Sequence, residues 1–189
     1  MAVVTIDKYE FPEEDEGLTF TSSFKKIGFS FTGIGGKITV AKLKFAKSSS
    51  FAGTLQVKIF AHTGTYGTSS LPTGDALDTS TRVLDMSEVP IATTVQMFSF
   101  PFAGDLVLEK GVHYCLLGEL TSTEVNTSTR ILYIIASTNL GHNGNSFAYS
   151  TASSQWALAS DADVWFNVSG KPEPLSIGYK TSLPPFNRA

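Results

Sequence analysis

The residue types that most often perform chemistry are few in this chain. It has three histidines, His62, His113 and His142, and a single cysteine, Cys115. No histidine has a partner at the spacing of a metal-binding motif, which favours surface or capping roles. Cys115 lies two residues after His113, and on a β-strand the two side chains share a face, so a catalytic thiol remains an alternative. The apolar run VHYCLLGEL around Cys115 favours instead a small buried side chain.

Acidic residues mark two candidate calcium sites. Asp161 and Asp163 in SDADVWF could supply oxygen ligands to Ca²⁺, and so could Asp75 and Asp78. Aspartate is common at turn entries without metal, so we expect neither a bound metal nor a cofactor. The many serines carry no sequence signature of a nucleophile, and no close pair of acids resembles that of a glycosidase. The sequence therefore favours a protein that is not an enzyme.

The stretch HTGTYGTSSLPTGD, residues 62–75, is rich in glycine, serine and threonine. A phosphate-binding P-loop needs Gly-Lys-Ser/Thr leading into a helix, and no lysine lies in this stretch. LPTGD is similar to a sortase signal, but it lies in mid-chain with no hydrophobic tail after it. A β-type pattern resumes directly afterwards, which argues against a linker. We expect a long loop between two strands, with its turn at Pro72–Gly74.

Aromatic residues are the candidates for binding. Trp165 falls on the face opposite Phe166 in DVWFNVS, and Trp156 in SSQWALA and Tyr66 in the loop also suit exposed positions. An outward aromatic ring stacks on a sugar, contacts another subunit, or packs under a loop or tail of its own chain. Trp165, Trp156 and Tyr66 are therefore predicted to contact a glycan or another subunit. Coverage of Trp165 by its own chain is the alternative.

The elements that must position these residues are β-strands. Apolar and polar residues alternate with period two along most of the chain, and no segment of useful length keeps a helical period. The run RILYIIAS is apolar on both faces and predicts a central strand. DMSEV predicts one short helical turn capped by Asp85 or Ser87, and KITVAKLKFAK predicts a strand with a bulge near Ala41. Short strands between Gly, Pro, Asn and Ser clusters indicate an antiparallel β-sandwich or barrel.

Length and charge limit the domain count and the partners. The 189 residues suit one domain, and the net charge of −3 argues against a basic nucleic-acid surface. The row Lys42, Lys44 and Lys47 is expected to line the solvent face of a strand. The first residues are too short and too polar a stretch for a signal peptide, and no stretch is long enough to span a bilayer. We therefore expect synthesis in the cytosol and no membrane partner, and a removed export signal is the alternative.

Both ends fall outside the strand pattern. We predict an N-terminal arm over residues 1–17, which includes the acidic run EFPEEDEG, and the β-domain over residues 18–170. Residues 171–189 contain proline at several positions and are predicted to form a C-terminal arm, because proline cannot lie centrally in a sheet. Such an arm could drape over a neighbouring subunit, and a disordered tail is the alternative.

Five stretches occur in an order that resembles a known module. They are GTLQVKIFAH, SLPTGDALDTS, VQMFSFPF, LVLEKGVHYCLLGEL and SSQWALASDADVWFNVSG. Over roughly residues 18–170 the chain resembles the jelly-roll β-sandwich module of phage virion proteins and of choice-of-anchor type bacterial surface proteins. These motifs mark core and turns rather than chemistry. The resemblance implies an all-β, antiparallel jelly roll with extended N- and C-terminal arms.

Two functions are predicted from the residues and the resemblance together. The first is a non-enzymatic virion structural protein of a bacteriophage, a capsid-decoration, head-fibre or tail component. It would be made in the host cytoplasm, located in the virion, and partnered with other virion proteins or copies of itself. The alternative is an extracellular or cell-surface carbohydrate-binding module that uses exposed aromatics to hold a surface glycan.

Overall fold

The computed structural model describes residues 2–10, 16–91, 95–137, 141–159 and 162–172. Within these ranges the secondary structure is almost entirely β. In chain order the strands are β1 (Val4–Tyr9), β2 (Glu16–Phe20), β3 (Phe24–Thr32), β4 (Gly36–Lys47), β5 (Thr54–Thr63), β6 (Leu71–Asp85), β7 (Gln96–Pro101), β8 (Val107–Leu108), β9 (His113–Thr121), β10 (Leu132–Ser137), β11 (Ser146–Ser150), β12 (Gln155–Ala159), β13 (Asp163–Val164) and β14 (Phe166–Lys171). One short 3-10 helix, Met86–Glu88, follows β6.

Two antiparallel sheets enclose the core, which is the arrangement of a β-sandwich and confirms the predicted all-β class. The six-stranded sheet has the order β12-β11-β3-β9-β5-β6. The eight-stranded sheet follows the path β1-β14-β4-β10-β13, with β7 and β8 also paired to β4 and β2 paired to β10. The chain passes from one sheet to the other at most connections, so residues distant in sequence meet at the ends of the sandwich.

The strand faces follow from the alternation in the sequence. In β5 the side chains of Leu55, Val57 and Ile59 are fully buried between the sheets. Phenylalanines fill much of the space between the sheets, and Phe29 of β3 stacks on Phe166 of β14 at a ring-centroid distance of 4.0 Å. Each large apolar side chain removed from water contributes roughly 1.5–3 kcal/mol. This shared apolar layer holds the two sheets together.

Several local predictions are confirmed. The strand β10 is buried along most of its length, as its two apolar faces predict. Asp85 caps the 3-10 helix by accepting a hydrogen bond from the Ser87 backbone N–H at 2.7 Å. The register between β14 and β4 shifts around Thr39, two residues before the predicted bulge.

Among the described residues, no helix has the length and apolarity needed to cross a membrane.

The predicted turn at Pro72–Gly74 is wrong. Those residues lie inside β6, where the register places Pro72 opposite His62 and shifts again beside Gly74. The chain turns earlier, over residues 64–70, where Gly64 and Gly67 have φ of +84° and +77°. Glycine adopts such angles without steric cost, whereas Pro72 is tolerated because β6 is an edge strand.

The predicted N-terminal arm is partly a strand of the sandwich. Residues 4–9 form β1 and pair with β14, and residues 16–17 begin β2, which pairs with β10. Residues 11–15 lie outside the described residues. The predicted C-terminal arm, residues 171–189, also lies outside them from residue 173 onward.

The lysine row of β4 does not face solvent throughout. Lys42 and Lys44 are half-buried, but Lys47 is only 4% exposed. Its Nζ donates a hydrogen bond to the Met86 carbonyl at 2.5 Å and lies 5.9 Å from the centre of the Phe51 ring. The prediction of a solvent-facing row is therefore wrong at Lys47, because β4 ends beneath the 3-10 helix.

Candidate functional site

The fold gathers the three histidines near the end of β3. His62 is the penultimate residue of β5, His113 begins β9, and their ring centroids are 5.5 Å apart. His142 precedes β11, and its Nε2 lies 3.3 Å from Asp7 Oδ1 on β1. Thr32, the last residue of β3, links the two groups. Its Oγ1 is 3.1 Å from His113 Nδ1, and its backbone N–H donates to Asp7 Oδ2 at 3.0 Å.

Tyr66 lies on this histidine group. Its ring stacks on His113 at a centroid distance of 3.8 Å with only 6° between the planes. Burial raises the pKa of Tyr66. The predicted loop-tip aromatic is thus a half-buried, protonated phenol held in one orientation, with one ring face covered.

An open cleft of about 280 Å³ lies beside Tyr66. We call it the Asp7 cleft. It is lined by Ile6, Asp7, Thr32, Ile34, Tyr66, Gly141, His142 and Asn143. These residues come from β1, β3, the turn after β3, the loop before β6 and the segment before β11. The cleft thus combines a carboxylate, an amide, hydroxyls and an imidazole with an aromatic ring and two apolar side chains.

Both ring nitrogens of His142 are committed to hydrogen bonds within the chain. The His142 Nδ1 accepts a hydrogen bond from the Gly144 N–H at 3.0 Å, so in this tautomer the proton is on Nε2 and is donated to Asp7. Asp7 also accepts from the Lys8 N–H at 2.8 Å. Because both His142 ring nitrogens are engaged, the pair positions the cleft wall and offers no free general base.

A serine–histidine contact occurs nearby, but it is closed to substrate. Ser70 Oγ lies 2.9 Å from His62 Nε2, which is the distance of an activated nucleophile. Ser70 is fully buried, and its backbone is bound on both sides by the Asn145 side chain. Burial lowers the pKa of His62, and the neighbouring His113 lowers it further. Since no external carbonyl could reach Ser70, this contact is structural.

Cys115 is a buried apolar residue, as its sequence context predicts. It packs with Leu117 and Phe147 in a second small cluster on the outer face of the six-stranded sheet. Burial raises the pKa of Cys115 to about 12, so it is a protonated thiol at neutral pH. The alternative of a reactive thiol paired with His113 is therefore wrong.

The structure covers Trp165 and leaves it only 7% exposed. The strand breaks between β13 and β14 at this residue, and the Trp165 backbone N–H donates to the Ile135 carbonyl at 2.9 Å. The Lys44 Nζ lies 4.9 Å from the centre of its ring. The alternation that predicts an outward-facing Trp165 does not continue through this break. Trp165 is instead covered by its own chain, which was the alternative prediction.

Trp156 is half-buried on β12. Its ring meets those of Phe147 and Tyr149 edge-on, at centroid distances of 5.5 and 5.1 Å. Trp156 therefore belongs to the outer cluster rather than to the Asp7 cleft. Of the three aromatics predicted for binding, Tyr66 alone lines that cleft.

Among the described residues, the calcium candidates belong to no group of metal ligands. Asp163 is only 4% exposed, and its Oδ2 accepts the His142 backbone N–H at 3.1 Å. Burial raises the pKa of Asp163, although this hydrogen bond acts in the opposite direction. Asp161 lies outside the described residues, and Asp78 accepts a hydrogen bond from the next backbone N–H, of Thr79. Nowhere in the described part of the chain do three or more His, Cys, Asp or Glu side chains form a metal-binding group.

A second surface with functional potential lies at the opposite edge of the six-stranded sheet from β6. The edge strand β12 reads QWALA, pairs with β11, and has no other strand partner among the described residues. Beside it, between β2 and β12, is a groove of about 210 Å³ with mainly apolar walls. Leu18, Phe24, Ile27 and Leu158 are among its lining residues. We call this the β2–β12 groove.

The other side of the sandwich is closed. There β6 approaches β7 of the facing sheet, and the Thr81 hydroxyl donates to the Pro101 carbonyl at 3.1 Å. The Arg82 guanidinium donates to the Ser99 carbonyl at 3.3 Å and to Glu88 at 2.7 Å. Polar and charged side chains therefore protect the β6 edge from pairing with another strand. The sequence of β12 contains no charged residue that could do the same.

No protein-family model matches the chain, and no curated protein or solved structure shows significant similarity to it.

Proposed function

We propose that this chain is a non-enzymatic structural protein of a bacteriophage virion, a capsid-decoration, head-fibre or tail component that acts by self-assembly. The proposal takes the sandwich to be of jelly-roll type, with residues 171–189 as an arm that contacts neighbouring subunits. The resemblance of the motif order to virion modules supports the class of protein. The β12 edge is the observation that supports assembly.

The β12 edge has the properties of an association surface. Its five residues contain no charged side chain and no proline, and Leu158 is 44% exposed. An edge strand has unpaired backbone N–H and C=O groups, and natural proteins usually block such an edge with lysine, proline or a bulge. None of these blocks is present in β12. The adjacent β2–β12 groove adds apolar surface that a partner would remove from water.

A second copy of the chain suits this surface. Two β12 strands that pair antiparallel around a two-fold axis would join two six-stranded sheets into one continuous sheet. Because β12 carries no charge, self-pairing places no like charges opposite each other. Main-chain hydrogen bonds and the apolar groove together would hold the two copies.

A charge placed on this edge tests the proposal. The Leu158→Lys variant adds an ammonium to the exposed edge, whereas Leu77→Lys places the same change on β6, at a leucine that is 46% exposed. We expect sedimentation velocity to show oligomers for the unmodified chain and for Leu77→Lys, and monomers for Leu158→Lys. Equal assembly of both variants would refute association through β12, and a monomeric unmodified chain would refute self-assembly.

The two tryptophans do not provide an exposed stacking surface on the sheets for the carbohydrate-binding alternative. Trp165 is covered, and Trp156 packs its ring against two neighbouring aromatics. A sugar-binding role for this chain would therefore depend on Tyr66 and the Asp7 cleft rather than on exposed tryptophans.

A further inference from the structure

The Asp7 cleft is built before any ligand arrives. Asp7 accepts hydrogen bonds from the Thr32 and Lys8 backbone and contacts His142. The segment that carries His142 is also fixed, because the His142 backbone N–H donates to the buried Asp163 carboxylate at 3.1 Å. These bonds connect chain segments that are far apart in sequence. Binding of a ligand would therefore require little ordering of the cleft residues and would lose little conformational entropy. This favours recognition of a small molecule.

The loop wall of the cleft is fixed as well. Tyr66 is stacked on His113, and the nearby Gly67 lies so close to the Asn143 carbonyl that a Cβ on it would be 2.3 Å from that oxygen. Only glycine permits this approach, and Gly67 also has a φ of +77°. The loop before β6 thus presses against the segment before β11, and the two together form one side of the cleft.

The lining groups indicate a neutral, polyhydroxylated ligand. Asp7 offers carboxylate oxygens, and Asn143 offers an exposed amide with two donors and an acceptor. Ile6, Ile34 and the uncovered part of the Tyr66 ring offer apolar surface. A sugar ring presents both kinds of surface, with hydroxyls around its edge and C–H groups on its faces. Small-molecule sites generally show this combination of apolar walls and a few polar groups.

The same groups disfavour charged ligands. The cleft lining contains the Asp7 carboxylate and neither lysine nor arginine, so a phosphate or sulfate would meet repulsion without a cationic partner. A metal ion would need further oxygen or nitrogen ligands, and the described residues assemble no such group. The cleft volume of about 280 Å³ is at the lower limit of small-molecule pockets, roughly 300 Å³, and suits one sugar ring.

We propose that the Asp7 cleft binds a single neutral sugar residue of a glycan, with Asp7 and Asn143 as hydrogen-bonding partners of its hydroxyls and Tyr66 and Ile34 as contacts of its C–H surface. This role is independent of assembly through β12, because the cleft and the β2–β12 groove share no lining residue. It would add glycan attachment to a structural protein.

An NMR titration of the full ¹⁵N-labelled chain tests the site directly. The probes are glucose, galactose, mannose, rhamnose and N-acetylglucosamine, each added to about 50 mM, because a single sugar ring in a shallow cleft is expected to bind with a millimolar Kd. We expect at least one probe to shift the amide resonances of Thr32, Gly141 and Asn143 in a saturable way. Sodium phosphate, added as the anionic comparison, should leave them unchanged.

Two variants decide whether the named groups make the contacts. Asn143→Ala removes an exposed amide, and Ile34→Ala removes most of an apolar side chain that is 42% exposed in the cleft wall. We expect each to weaken binding at least threefold. The controls Asn126→Ala and Ile91→Ala make the same changes at residues that do not line the cleft and should leave the Kd unchanged.

Three results would overturn the proposal. They are the absence of saturable shifts with every sugar, a response to phosphate instead, and sugar binding by Asn143→Ala and Ile34→Ala that equals that of the unmodified chain. Sedimentation of the same samples reports assembly separately, so loss of sugar binding and loss of assembly remain distinguishable.

Discussion

The Asn145 side chain fixes the loop that carries Tyr66, and its removal should destabilise that loop. Asn145 Oδ1 accepts the Ser70 backbone N–H at 3.0 Å, and Asn145 Nδ2 donates to the Ser70 carbonyl at 3.2 Å. Both residues are buried. The amide thus occupies both backbone groups of Ser70, much as a neighbouring strand would. We predict that Asn145→Ala destabilises the whole chain and loosens residues 64–70 more than any strand.

The magnitude follows from the two groups that lose their partners. A buried N–H or C=O left without a hydrogen bond costs about 1–3 kcal/mol, so the pair costs about 2–6 kcal/mol. A small cavity of about 100 Å³ borders Asn145, and water entering the vacated space would satisfy part of this loss. We therefore expect a decrease of about 2–4 kcal/mol in the free energy of unfolding, out of the 5–15 kcal/mol typical of a domain.

Equilibrium urea unfolding followed by tryptophan fluorescence measures this change, and hydrogen exchange at the Ser70 amide localises it. The control Asn126→Ala removes an asparagine whose hydrogen bonds lie within a surface turn, and it should cost less than about 1 kcal/mol. If Asn145→Ala unfolds within about 0.5 kcal/mol of the unmodified chain and Ser70 stays protected, the two hydrogen bonds do not fix the loop.

Two further predictions concern buried titratable groups. Burial raises the pKa of Asp163 above 3.8, so its contribution to stability is greatest at low pH and falls as pH rises from 3.8 through the raised folded pKa. The Asp163→Asn variant keeps an acceptor for the His142 N–H. Its free energy of unfolding, relative to that of the unmodified chain, should therefore increase with pH across that window. A difference in unfolding free energy that stays constant with pH would contradict this reasoning. Cys115, with its pKa raised from 9.0 to about 12, should react with iodoacetamide at pH 8 about a thousandfold more slowly in the folded chain than in urea, because three pKa units lower the thiolate fraction by that factor. Similar rates in the two states would show that the outer cluster is open.

Much of the fold was predictable because it depends on local sequence. The alternation in β5 reports directly which side chains face the core, and the Asp85 cap needs only residues in the next turn. The Pro72–Gly74 turn was mispredicted because its residues suit a turn chemically, while Gly64 and Gly67 close the chain earlier. Pro72 and Gly74 are common turn residues, but the pairing of β6 with β5 is a tertiary property that local sequence preferences do not contain.

The Asp7 cleft was harder to predict from the sequence than the strands. Tyr66 was identifiable as an aromatic residue in a polar loop, but Asp7 lay in a segment expected to be an arm. Its role depends on β1 pairing with β14 and on the Thr32 N–H at the end of β3. Trp165 was misplaced for a related reason, since the strand breaks between β13 and β14 and the alternation does not continue through it. Long-range pairing determined all of these positions.

The most direct test of the structural role is the solution mass of the full chain, measured by light scattering over a range of concentrations with negative-stain images of the same samples. Assembly through the β12 edge predicts a mass that is an integer multiple of the chain mass, ordered particles, and reversion to the monomer mass in Leu158→Lys. A monomer mass at every concentration, with no ordered particles, would contradict self-assembly.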